Sequence, residues 1–524
     1  MKVGKIEFGE LDAKNEAFRQ SRTGKNVFYS SFIIPPNVEI DDLLSGSRFF
    51  ILGQKGCGKT ALMLNIERLF RDEGYATDTL LFKSDVTEID RQQIISDSGY
   101  HIVDTGQLKV EYDYLYNWLW MIYATILRQI KPEWVLSGVK ELEALKALFG
   151  VTTELPISKL RDLNLKELNG KATLNLKIPI VEATFATEVG SAREKPAKQS
   201  FIEVVKICEN HIGKVSLKPQ FRSLMFLDEL ELFANRADQK ERDLFLIRDL
   251  LRSVVRANRV LGSKSASFGV YACVRTEVLS EVNRVGQELA RDVEDFGVVV
   301  RWDTSSSADS QPILEIVESK IQHSEIEEDE FKTEEVWERY FPEAYHGRHV
   351  ADHLVDISMF KPRLILLRLN LAKKYNGDAE HFASESFEET NLPFSTAVWR
   401  EVEEQLATIY PRRTIDNLRT ALTAYSPRFT PADLERRFLE INAVKPGAID
   451  GFRTQADINL MIGQLYELGA LGNQYTVAGE GPRSVWRDRW AFRGFEDPVW
   501  TEKFIVHESL RKFFQMQYDG PARR

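Results

Sequence analysis

The unbroken apolar run Phe49-Phe-Ile-Leu52 ends at a glycine-studded loop, and "ALMLNIERLFRDE" behind that loop places Leu62, Ile66 and Leu69 on one helical face. The pattern predicts strand, loop, helix. A second apolar run, "TLLFKSD" at 79–85, fits the next parallel strand, and an aromatic-rich helix is expected near 112–130. From about 135 to 200 the character changes. "KELEALKALFG" is helical, "KATLNLKIPIVEATFATEVG" alternates like a hairpin, and a polar "SAREKPAKQS" follows, so this stretch reads as an insertion in the core.

"SLMFLDELELF" at 223–233 restores a continuous apolar strand, as a sheet buried on both faces requires. A long helix follows at 243–261, and "SFGVYACV" at 267–274 and "FGVVVRW" at 296–302 are two further strands. Strands alternating with helices imply an α/β parallel sheet. The polar "DTSSSADS" at 303–310 closes it, and nearly everything beyond reads helical as far as "WRDRWAFRG" at 486–494. At the C-terminus, a helix carrying Ile458, Met461, Ile462 and Leu465 on one face precedes two strand-like pieces around a Gly-Pro-Arg turn, the shape of a winged helix. The expected architecture is therefore a P-loop NTPase sheet (47–305, with its insertion) behind an N-terminal segment (1–46). A helical lid (306–375), a helical linker domain (376–450) and a winged-helix-like domain (451–524) complete it.

Composition changes this picture little. A 524-residue chain allows roughly three domains, and a formal charge of −10 means that any nucleic-acid contact is regional. Three cysteines, Cys57, Cys208 and Cys273, make no disulfide framework. From the charged N-terminus no signal peptide is expected, and "LYNWLWMIYATIL" at 115–127 falls short of the roughly 20 residues of a membrane span. A cytoplasmic protein is expected.

The loop Gly53, Gln54, Lys55, Gly56, Cys57, Gly58, Lys59, Thr60 satisfies the P-loop pattern in full. Its glycines let backbone N–H groups turn inward on phosphates, and the helix opening at Lys59, Thr60 and Ala61 adds its positive dipole end. Lys59 is expected on the β- and γ-phosphates of ATP, and the Thr60 hydroxyl on Mg²⁺. "LMFLDE" supplies the acidic strand end that hydrolysis requires, with Asp228 in the metal's shell and Glu229 as the base. The adjacent glutamate argues against a small-molecule kinase.

Arg275 ends the strand "GVYACV", which in such sheets lies between the strands bearing the P-loop and the Asp-Glu pair. Its expected role is to sense the γ-phosphate. Arg291, with Arg284 as its competitor, precedes the last core strand, where oligomeric ATPases place a finger that reaches a neighbour's nucleotide. Arg363 opens an amphipathic helix after a proline and is a lid residue positioned for phosphates. His346, His349 and His353 have helical spacing but no accompanying cysteine, which argues against zinc. Arg483, Arg487, Arg489 and Arg493, with Trp486 and Trp490, make the wing basic and aromatic, fitting double-stranded DNA or a docked protein equally.

On these residues, "FGELDAKNE", "ILGQKGCGKT", "FLDELE", "VRTE", "VVVRWD", the "KPR" helix start and "LYELGALGN…WAFRG…VHESLRKFF", the chain resembles the bacterial FunZ-like P-loop ATPases, a branch close to the STAND and Orc/Cdc6-like ATPases. The resemblance implies an ATP-dependent regulator, with relatives in genome-maintenance or phage-defence loci beside nucleases, toxins or other effectors. Two functions follow. One is an ATP-binding and hydrolysing switch that controls homo-oligomerisation and a partner effector in anti-phage defence. The other is a DNA-binding ATPase, a remodeller or initiator, whose winged helix holds duplex. A phosphotransferase fits less well, because of Glu229.

Overall fold

Phe50, Ile51 and Leu52 are all but inaccessible to solvent, as are Leu224 to Leu227 and Val270 to Val274. Such runs without polar alternation suit strands covered on both faces. In the computed structural model, which describes residues 1–86, 99–104, 108–149, 201–230, 237–262, 267–284, 289–303, 311–328, 330, 332–477, 485–495 and 497–516, they become the centre of a parallel sheet. The chain divides into two units: Val38–Lys55 with Lys59–Val300, and Met1–Asn37 with Gly56–Gly58 and Arg301–Arg524.

The first unit is built on β1 (Phe50–Gly53), β2 (Ala76–Leu81), β3 (Ser223–Leu230), β4 (Phe268–Arg275) and β5 (Gly297–Val299). Their order across the sheet is β2-β3-β4-β1-β5, with every pairing parallel. This is the α/β P-loop sheet expected from the sequence, with β4 between the P-loop strand and the Asp-Glu strand. Helix Lys59–Asp72 leaves β1 and packs against β2, β3 and β4. Helix Leu115–Gln129 is the aromatic one. It buries Trp118, Trp120 and Tyr123, and the Trp118 indole donates to the Leu246 carbonyl of the long helix Ala237–Gly262. Among the described residues no helix is long and apolar enough to cross a membrane.

The strand read at 79–85 is displaced. It runs Ala76–Leu81, and Phe82–Asp85 turns into a short helix because the Asp85 carboxylate accepts the Leu81 amide at 2.8 Å. Gly99–Asp104 and Leu108–Asp113 form an antiparallel hairpin that the pattern did not indicate. The helices flanking the insertion, Val139–Phe149 and Phe201–Ile212, pack on each other and on Leu115–Gln129. The alternating segment 171–190 lies outside the described residues.

The second unit has one core. Val3, Ile6 and Phe8 enter it beside residues of helices Pro312–Glu327, Val350–Ser358, Pro362–Tyr375 and Asn391–Leu406. Glu16 and Lys320 form a buried ion pair at 2.9 Å that ties the N-terminal segment to Pro312–Glu327. The two strand-like pieces expected near the C-terminus are Leu471–Val477 and Val485–Arg489, and two further strands, Arg428–Phe429 and Lys503–Val506, lie in the region beyond 303 that read as nearly all helical or was assigned no strand. Arg428–Phe429, Lys503–Val506, Leu471–Val477 and Val485–Arg489 form a four-stranded antiparallel sheet in that order. Two residues are too few to show periodicity, which is why Arg428–Phe429 was not legible. Around this sheet lie helices Arg412–Leu422, Pro431–Val444 and Gln455–Glu467, the last two each opened by a threonine capping box, Thr430 with Asp433 and Thr454 with Asp457.

Candidate nucleotide-binding site

Gly53 ends β1, and the loop turns through Gly56 and Gly58 at φ of +83° and +104°, conformations that a side chain strongly disfavours. The helix then opens at Lys59, so the amides of its first turn face the loop without helical partners. The Lys59 ammonium is buried and donates to the carbonyls of Gly53 (2.9 Å) and Gln54 (2.8 Å). These contacts hold it within the loop. The Lys55 amide points to the Glu277 carboxylate at 3.5 Å.

The acidic strand end is shaped by a register shift. Leu227 pairs with Ala272 and Leu230 with Val274, so Asp228 and Glu229 together oppose the single residue Cys273. That is a β-bulge, a device that re-aims side chains. Glu229 takes the strain, with φ of +59°, a left-handed conformation costing about 1–2 kcal/mol in a residue with a Cβ. As a result, neighbouring carboxylates part company. Asp228, buried, accepts the Thr60 hydroxyl at 2.7 Å, whereas Glu229 accepts the Ser84 hydroxyl at 2.7 Å.

The sheet register sets Arg275 directly beside Gly53, the first residue of the loop. Lys59, Thr60, Asp228, Glu229 and Arg275 therefore share one edge of the sheet. Arg291 is exposed on the short helix Ala290–Asp295 and pairs with none of them. Arg284 ends helix Thr276–Arg284. Cys57 is buried and Ala61 lies in the first helical turn.

In the second unit, Pro362 stands at the first position of helix Pro362–Tyr375, and the Arg363 amide points to the Gly56 carbonyl at 3.4 Å. The Trp302 indole, buried, donates to the Cys57 carbonyl at 2.8 Å. Sequence reasoning missed Trp302, Glu277 and Ser84. Each acts through a contact more than 140 residues away in the chain, which leaves no local signal.

The histidines are not gathered. His346 contacts the Glu388 carboxylate at 3.0 Å, while His353 is buried edge-on against Tyr345, and burial pushes its imidazole down to about 3. Among the described residues, no cluster of three or more His, Cys, Asp or Glu has the geometry of a metal site. In the C-terminal hairpin Arg487 is exposed, whereas Arg489 stacks on the Phe495 ring at 4.7 Å and Arg493 lies over Phe360 at 5.0 Å. Arg483 lies outside the described residues.

No protein-family model and no curated protein matches the sequence. Among solved structures, the chain aligns with Cdc6p from Pyrobaculum aerophilum at 11% identity and a TM-score of 0.31, over 93% of this chain and 95% of that one. It aligns with the Aeropyrum pernix ORC2 protein in its ADP form at 12% identity and a TM-score of 0.29, with the same coverage. At such scores neither neighbour bears on function, and the P-loop reading stands on the sheet order and the loop itself.

Proposed function

We propose that this chain is an ATP-binding and ATP-hydrolysing switch. The observation that carries the reading is the hydrogen bond from Thr60 to Asp228, which joins the loop's hydroxyl to the acidic strand end. A hydroxyl and a carboxylate 2.7 Å apart at a phosphate loop have the oxygen chemistry that Mg²⁺ prefers. Thr60 and Asp228 would hold that ion, whose charge, when bound, offsets that of the phosphates.

The other roles belong to the chain itself. Lys59 and the loop amides bind the β- and γ-phosphates, Arg275 reads the γ-phosphate from its place beside Gly53, and Glu229 orients the attacking water and takes its proton. Arg363 is assigned to phosphate, and Arg291 to a neighbouring subunit. Contacts that exist only with a γ-phosphate are what let ATP and ADP favour different states. In this reading the output is homo-oligomerisation and control of an effector such as a nuclease or toxin, as the FunZ-like resemblance implies for anti-phage defence, in the cytoplasm.

A second reading is a DNA-binding ATPase related to the Orc/Cdc6-like proteins. The element order Arg412–Leu422, Arg428–Phe429, Pro431–Val444, Gln455–Glu467 and the hairpin fits a winged helix, and this supports the reading. On this basis the winged helix begins at Arg412, within the stretch otherwise assigned to a helical linker. The helix that would enter a groove, Gln455–Glu467, carries Asp457 and Glu467 but no lysine or arginine. Any DNA contact would therefore fall to the wing. The deciding experiment is steady-state ATP turnover, alone and with duplex DNA, with Glu229→Gln as the blank. No turnover above that blank would refute the ATPase, and a rate raised many-fold by DNA would favour the second reading.

A further inference from the structure

Within the sheet unit, Val135–Ser137 and Ser216–Leu217 pair as a short antiparallel ribbon. Phe221 and Arg222 run from it into Ser223, where β3 begins, so the ribbon serves the end of the parallel sheet opposite to the one that carries the P-loop. The Trp134 and Phe221 rings stack at 4.9 Å, Lys131 lies over the Trp134 ring at 5.6 Å, and Lys218 donates to the Glu133 carbonyl at 2.7 Å. Gly138, at φ of +84°, passes so close to the Lys214 carbonyl oxygen that a Cβ would stand 2.6 Å from it. That approach sets Lys214 beside the start of helix Val139–Phe149, and so beside Lys140.

Two properties of this surface stand out. Leu136 is 65% exposed and Val139 39%, next to the half-buried Trp134 and Phe221. Around them, segments 131–140 and 214–222 carry Lys131, Lys140, Lys214, Lys218 and Arg222 against one carboxylate, Glu133, in a chain of net charge −10. Glu141 and Glu143 lie farther along the helix. None of the four lysines pairs with a carboxylate among the described residues. An apolar centre inside a charged rim is the anatomy of a protein interface.

We propose that this face docks an acidic amphipathic segment of a partner protein, with its apolar side chains on Leu136 and Val139 and its carboxylates on the surrounding lysines. Charge decides the occupant. A second copy bringing the same face would set lysine against lysine. Single-stranded nucleic acid would match the charge, but it draws on free aromatic faces, whereas the Trp134 ring is already engaged by Phe221 and Lys131. Leu136 and Val139 offer nothing to a phosphate. The inference is independent of the nucleotide reading, because no residue of the loop takes part.

The test is fluorescence anisotropy of the full-length protein with a labelled helical peptide that carries leucine on one face and glutamate on the other. The same peptide with lysine for glutamate, and an oligothymidylate strand, are the comparisons. The acidic peptide should bind and its lysine counterpart should not. Lys140→Glu with Lys214→Glu reverses two charges and should weaken the acidic peptide about tenfold at low salt, a gap that closes as salt rises. Leu136→Ser should weaken it about fivefold at every salt concentration, through lost apolar contact. Both variants change exposed side chains and should melt as the wild type does. No binding of the acidic peptide, or binding that both variants leave intact, would overturn the proposal. So would tighter binding of oligothymidylate through the same lysines, which would make the face a nucleic-acid site. A wild-type dimer in sedimentation that Leu136→Ser abolishes would give the face to a second copy instead.

Discussion

Ser84 donates its hydroxyl to Glu229 at 2.7 Å from the short helix that follows β2. Because β2 flanks β3 on the side opposite β4 and β1, this bond draws the carboxylate away from the P-loop strand. Asp228, its neighbour on the bulge, is drawn the other way by Thr60. On the role proposed for Glu229, this bond restrains the base. Ser84→Ala is expected to raise basal ATP turnover about two- to tenfold, the equivalent of about one hydrogen bond, while Glu229→Gln lowers it by about a hundredfold or more. A turnover number that falls in Ser84→Ala would instead make Ser84 part of the productive arrangement.

The Thr60–Asp228 bond predicts a different phenotype for the other carboxylate. Asp228→Asn keeps the hydrogen bond to Thr60 and removes the charge. The expected result is ATP turnover that requires about tenfold more Mg²⁺, with nucleotide binding retained in its absence. Lys59→Ala, by contrast, removes the ammonium held inside the loop and should abolish nucleotide binding at any Mg²⁺ concentration. A Mg²⁺ titration of both variants separates the roles. Identical curves for Asp228→Asn and wild type would exclude Asp228 from the metal's shell.

The sheet was legible because buried parallel strands are written as continuous apolar runs. Phe50–Gly53, Ser223–Leu230 and Phe268–Arg275 all appear where the runs lie, and the loop declares itself by its glycines. The bulge was not legible. Nothing in "FLDEL" distinguishes a regular strand end from one in which Glu229 is left-handed, because the choice is made by register against β4. The same holds for Trp302, whose indole meets the Cys57 carbonyl only after the chain has folded. Arg363 was found because Lys-Pro-Arg marks a helix start. Its ion-pair partner Glu401, 38 residues on in helix Asn391–Leu406, carries no such mark.

The C-terminal hairpin predicts a shallow response to salt. Arg487 is exposed, but Arg489 is committed to Phe495. Arg493 lies within 3.7 Å of Asp356, and helix Gln455–Glu467 offers no basic residue. Arg487→Ala should reduce the slope of log affinity against log salt for duplex DNA by about 0.9, one phosphate's worth, and Arg489→Ala should act on thermal stability instead. The measurement is fluorescence anisotropy with labelled duplex at several salt concentrations. An unchanged slope in Arg487→Ala would remove the wing from any DNA contact.

Stability of the helical unit should fall with acid through two buried histidines. His507 is enclosed by Trp490 and Phe492, and burial pushes its imidazole down to about 3, as it does for His353. The Ser509 amide, which can only donate, points to His507 Nδ1 at 3.3 Å, so this nitrogen carries no proton in the folded state. The unfolded chain, with ordinary imidazoles near 6.5, binds protons that the folded chain refuses. Stability is therefore fully present above about pH 6.5 and is lost as pH falls from there toward 3, at up to about 1.4 kcal/mol per pH unit for each histidine. Asp356, whose carboxyl burial holds above its ordinary range, works in the opposite sense at lower pH. Chemical denaturation at pH 7.0, 6.0 and 5.0 reads the slope. His507→Gln lowers stability at every pH through its packing, so the informative quantity is the pH dependence, which should flatten by about half in His507→Gln and nearly vanish with His353→Gln added. An unaltered slope in the double variant would place the acid sensitivity elsewhere in the molecule.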